Sequence, residues 1–166
     1  MEKHKIASSI ALGGILAALA VVIMALGGMI PVATFVCPML CMLLLKLVFS
    51  NCGRRIAWAW YFAVAILGVL LSPDKESSAV FLALGYYPIC KPKLDTLPYN
   101  WLWKLLFFNG VILVLYWLLM YAIGMEQILS EFTEMGIIMT VVTLLLANVC
   151  FILLDHLLGL RLHRRR

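Results

Sequence analysis

Residues 6–30 read IASSIALGGILAALAVVIMALGGMI, with Ser8 and Ser9 as the only polar side chains and Pro31 immediately after. About 20 consecutive apolar residues are enough for a helix to cross the hydrocarbon core of a bilayer. This stretch is longer than that, and no charge interrupts it. Met1 to Lys5 precede it and carry Lys3 and Lys5. A cleaved signal would have a shorter apolar region and a small-residue cleavage site. The stretch therefore reads as a first transmembrane helix.

Working outward, five more apolar runs follow at 32–50, 56–72, 77–90, 101–124 and 135–160. Polar breaks separate them. Asn51 to Arg55 contains Gly53, Arg54 and Arg55, and Pro73 to Glu76 contains Asp74 and Lys75. Lys91 to Tyr99 holds two prolines and three charges and reads as a loop, and Met125 to Glu134 reads as an acidic loop. The fourth run, at about 14 residues, is short for a full span, so a buried, kinked or re-entrant segment is its alternative. Within it, Gly85-Tyr86-Tyr87-Pro88 is either a hinge or the proline-ended close of a helix. Strand-type alternation occurs nowhere, which argues against a membrane barrel.

Composition agrees. Of 166 residues, 65% are apolar and 13% charged, against about 25% charged in an ordinary soluble domain. The mean hydropathy is +1.07. A soluble domain of this size has too little interior to hide so much apolar surface. A soluble enzyme, a nucleic-acid reader and a disulfide-stapled secreted module are thereby excluded. The expected fold class is all-α: one polytopic membrane domain, a bundle of six transmembrane helices.

Lys and Arg set the orientation. Lys3 and Lys5, Arg54 and Arg55, Lys91, Lys93 and Lys104, and the tail Arg161 and Arg164 to Arg166 fall on one side if all six runs cross. The fifth loop has Glu126, Glu131 and Glu134 and no base. Both termini are therefore expected in the cytoplasm, and the short fourth run is expected to cross. The net charge of +5 reads as topology signal and as anchoring to anionic lipid, with Trp58, Trp60, Trp101 and Trp103 as an aromatic belt. The expected location is the cell membrane, as a multi-pass protein.

Candidate chemistry is sparse. The cysteines, Cys37, Cys41, Cys52, Cys90 and Cys150, are odd in number and form no disulfide framework. No metal set, nucleotide loop or acid–base pair appears at usable spacing, so neither an enzyme nor a cofactor is expected. Intramembrane charge is the strongest local signal, because it is costly in lipid. Lys46 and Asp155 lie about 12 Å and about 9 Å from the basic side by helical rise. Their depths nearly match, so an ion pair between helices two and six is expected, with Lys104 as the other basic candidate for Asp155. Such a pair is either a relay site or bundle glue. Helix one carries Ala7, Ala11, Gly14 and Ala18 at small-residue spacing, a stripe that either packs inside the bundle or docks a partner. On the opposite side Phe35, Asp74, Glu76, Phe81, Tyr121 and Glu126 form a candidate acidic and aromatic mouth for a small polar or cationic solute. Solvated loop charge is the plainer reading of the same residues.

Six short spans, both termini inside, small outer loops and the Ala7, Ala11, Gly14, Ala18 face together resemble the substrate-binding S component of energy-coupling factor transporters, over nearly the whole chain. The stretches Ser72-Pro73-Asp74-Lys75-Glu76 and Gly85-Tyr86-Tyr87-Pro88 also resemble a group of uncharacterised Firmicute-type membrane proteins. The first resemblance implies that helix one docks a transmembrane coupling subunit. It further implies that outer loops one, three and five cover a site for a vitamin or precursor, and that cytosolic ATPases supply energy. Metal-uptake members carry an N-terminal histidine arrangement, which His4 alone does not match. A membrane scaffold or assembly factor is the alternative function.

Overall fold

The computed structural model describes residues 2–27, 33–96, 98–121 and 126–159, with side chains described for 10–27, 34–96, 98–119, 141–142 and 144–159. Among these residues every regular element is helical: α1 (Glu2–Gly27), α2 (Ala33–Cys52), α3 (Arg54–Leu71), α4 (Lys75–Leu84), α5 (Tyr87–Leu94), α6 (Asn100–Tyr121) and α7 (Glu126–Gly159). Among the described residues four segments are long and apolar enough to cross a membrane: Ile10–Gly27, Thr34–Cys52, Arg54–Leu71 and Asn100–Leu119; a shorter apolar segment, Leu144–Gly159, lies in α7.

Helix α2 is the hub and packs on α1, α3, α4, α5 and α7. Each outer helix presents one apolar stripe at helical spacing. On α1 the stripe is Gly13, Ala17, Ala20, Met24 and Gly27. On α6 it is Phe108, Ile112, Leu115 and Leu119, and on α7 it is Ala147, Phe151, Leu154 and Leu158. Small residues let α1 and α3 approach closely. A methyl group added at Gly68 would stand 2.8 Å from Met24 Cε. Backbone carbonyls of α1 are reached from its neighbours: Trp60 Nε1 donates to Gly13 O at 3.0 Å, and Ser72 Oγ to Met24 O at 3.2 Å. The opposite faces keep large apolar side chains exposed, among them Ile15, Ile66, Leu70, Leu113 and Leu153. In water so broad an apolar surface would aggregate; lipid is the solvent that suits it.

The turns explain the boundaries. A single residue, Gly53, separates α2 from α3, and its φ of 86° lies where only glycine is comfortable. Helix α4 starts at Asp74, whose carboxylate accepts from Glu76 N at 3.0 Å and Ser77 N at 3.1 Å. That satisfies two of the orphan donors of a helix start. Lys75 Nζ closes the preceding helix by donating to Val69 O and Ser72 O.

Three sequence expectations are revised. The fourth run is two helices, α4 and α5, stepping at Gly85 and Tyr86, both of which keep right-handed helical angles. Pro88 has no N–H, so Leu84 loses its helical donor. Nearby, the carbonyl of Leu82 accepts from Tyr61 Oη at 2.5 Å. Pro88 thus stands in the first turn of α5, a position proline favours, and does not end a helix. Secondly, the expected loop at Lys91 to Tyr99 is helical as far as Leu94. Thirdly, the expected acidic loop at Met125 to Glu134 is helical from Glu126, giving α7 34 residues and a length of about 51 Å.

Candidate functional site

Charge gathers at the end of the bundle where α5 and α7 finish and α6 begins. Asp155, on α7, receives three donors. Tyr87 Oη donates to its Oδ1 at 2.6 Å, Lys91 Nζ forms an ion pair with the same oxygen, and Lys104 Nζ approaches Oδ2 at 3.1 Å. Lys91 also donates to the backbone carbonyl of Asp155 at 3.0 Å. Lys104 has a second anion, Asp95 at the C-cap of α5, at 2.5 Å. Two lysines and two carboxylates balance in charge. Lys91 and Lys104 are only 5% and 7% exposed, whereas the side chain of Asp95 is 42% exposed. The cluster is therefore closed on the protein side and open to solvent at Asp95.

Each donor arrives by a sequence-encoded route. Tyr87 and Lys91 are four apart, so α5 shows both on one face. Lys104 is one turn before Phe108 on the buried stripe of α6, and Asp155 follows Leu154 on α7. Aromatic rings wall the inner side: Tyr87 lies 5.0 Å from Phe151 and 6.2 Å from Phe107, and Phe108 stacks on Phe151 at 4.4 Å. That apolar wall makes an unmatched charge expensive and a matched cluster specific.

The expected Lys46–Asp155 pair is not the one formed. Lys46, on α2, is half-buried, and Asp155 is taken by Lys91 and Lys104. Similar position along two helices does not by itself decide which side chains meet. Lys104, the second candidate, is a partner. Lys91 was missed because its segment read as a loop; the i, i+4 spacing of Tyr87 and Lys91 beside Pro88 was the signal available.

The candidate outer mouth is largely committed elsewhere. Phe35 and Phe81 are buried in the core, and the Phe81 ring sits 5.9 Å from Tyr61. Asp74 caps α4, and Glu76 accepts from Tyr116 Oη across the α4–α6 contact. The side chains of Tyr121 and Glu126 lie outside the described residues. Among the described residues the structure brings Glu76 to Tyr116. Nearby, the Ser77 hydroxyl is buried with no hydrogen-bond partner among the described residues.

On α1, Ala11, Gly14 and Ala18 are exposed, and a methyl group added at Gly14 would meet nothing within 4 Å; the side chain of Ala7 lies outside the described residues. The stripe that packs internally is its neighbour, Gly13 to Gly27. Between α6 and α7 a reciprocal amide pair bridges Asn109 and Asn148 at 2.9 and 3.1 Å, the kind of polar contact that joins helices in lipid. Among the described residues no group of three or more His, Cys, Asp or Glu could hold a metal ion.

Comparison with family models finds none that matches the chain, and comparisons with curated proteins and with solved structures find no match either.

Proposed function

We propose that this protein is an integral membrane subunit of a bacterial plasma membrane that works docked to a second membrane protein through α1. On this reading it spans six times, with α4 and α5 together as the fourth span, and both termini are cytoplasmic. Its specific role is to bind a small solute, of the vitamin or precursor class, for uptake energised by partner ATPases; it is not itself an enzyme. One observation supports the docking role above the others. Ala11, Gly14 and Ala18 are exposed on α1 while the adjacent face packs. A stripe of small residues facing lipid offers close backbone approach, and a second helix can use it.

A scaffold or assembly role is the second reading. It is favoured by the commitment of Phe35 and Phe81 to the core and of Asp74 to the α4 cap, which takes three of the six candidate mouth residues away from a solute.

Purification in mild detergent, identifying co-purifying proteins and small molecules, tests both. A membrane partner with a bound solute supports uptake, and a partner alone supports the scaffold. Gly14→Leu and Ala18→Leu are expected to keep the wild-type melting temperature and lose the partner. Retention of the partner by both variants, or its absence from the wild type, would overturn the docking role.

A further inference from the structure

Helix α5 has little helix tendency of its own and is held by its surroundings, Tyr87 and Ile89 being buried in the core. It has eight residues with Pro92 inside, and isolated helices shorter than about 12 residues are marginal in water even without proline. Pro92 removes the donor that would reach Pro88 O, just as Pro88 removes the one that would reach Leu84 O. Its packing is chiefly on α2, with narrower edges on α3 and α6. By contrast α4 is secured at its start by the Asp74 cap, by Ser78 Oγ donating to Gly68 O at 3.0 Å, and by Glu76 with Tyr116. Between the two helices lies the Gly85–Tyr86 step, where Tyr61 Oη donates to the carbonyl of Leu82 in the last turn of α4.

Beyond that step α5 is tied to α6 and α7 by the Tyr87 ring against Phe107 and Phe151 at its start and by ion pairs toward its end. Lys91 and Tyr87 reach Asp155, and Asp95 reaches Lys104. Lys104 joins the two halves, because it holds Asp95 on one side and Asp155 on the other. The inner half is buried. The outer half is open to solvent through Asp95 and so is accessible to a competing cation.

We propose that α5 is a hinged arm, fastened to α6 and α7 by the Asp95–Lys104–Asp155–Lys91 chain of charges, and released when a cation takes Asp95 from Lys104. The hinge is the Gly85–Tyr86 step; α4 stays in place while α5 moves. Release uncovers Lys91 and Lys104 at the basic end of the bundle. None of this depends on the function proposed above.

Hydrogen exchange read by mass spectrometry on the full-length protein in lipid nanodiscs tests it. In the wild type, exchange in 87–94 is expected to rise as KCl is raised to about 0.5 M, because an exposed pair is screened, while 75–84 and 54–71 hold. Asp95→Asn should show the faster exchange at low salt already and lose the salt response. Asp155→Asn should raise exchange in 87–94 by about tenfold or more, leaving 75–84 protected. Exchange in 87–94 that ignores both salt and Asp95→Asn would overturn the latch. A rise shared equally by α4 and α5 would overturn the hinge.

Discussion

Asp155→Ala is the most informative single change. It removes the shared anion of Lys91 and Lys104, two residues only 5% and 7% exposed, and leaves Lys91 without its carboxylate partner. Removing one partner of a buried ion pair costs about 3–5 kcal/mol. The Asp155 side chain is 25% exposed and Lys104 keeps Asp95, so the lower end, about 3 kcal/mol, is expected. The informative quantity is the coupling. In a double-mutant cycle, Lys91→Met with Asp155→Ala should recover part of the loss, giving an interaction energy above about 1 kcal/mol. Lys46→Met with Asp155→Ala should be additive within about 0.5 kcal/mol, as for residues that share no partner. Unfolding by SDS titration from mixed micelles measures both cycles. Strong coupling of Asp155 to Lys46 and none to Lys91 would refute the assigned cluster.

Gly85→Ala places a methyl carbon 2.4 Å from Phe81 O and 3.0 Å from the Tyr61 ring; the same titration should show a loss of about 1–3 kcal/mol, since backbone must shift. Asp74→Ala should cost about 0.5–2 kcal/mol through loss of the α4 cap, and Asp74→Ser, which also caps, should restore most of it. A solute-binding role alone would instead leave unfolding of both variants at the wild-type value.

The class of the fold was legible from composition and run length. Uncharged stretches such as 6–30 need no tertiary context, because the cost of exposing that surface to water decides their environment. Helix starts marked by local chemistry were also within reach, as at Pro73-Asp74, where the carboxylate caps α4. Tertiary structure decided which stripe of α1 is buried, since 11–14–18 and 13–17–20 are both spaced like helix faces and only packing against Trp60 and Met24's neighbours distinguishes them. It also decided the partners of Asp155. Depth along a helix follows from residue number, but the direction a side chain faces depends on how each helix is turned about its axis. That rotation placed Lys91 and Lys104, and not Lys46, against Asp155. The helicity of 87–94 was set in the same way: an eight-residue segment with two prolines has little helix tendency of its own, and burial of Tyr87 and Ile89 together with the ion pairs of Lys91 makes up the difference.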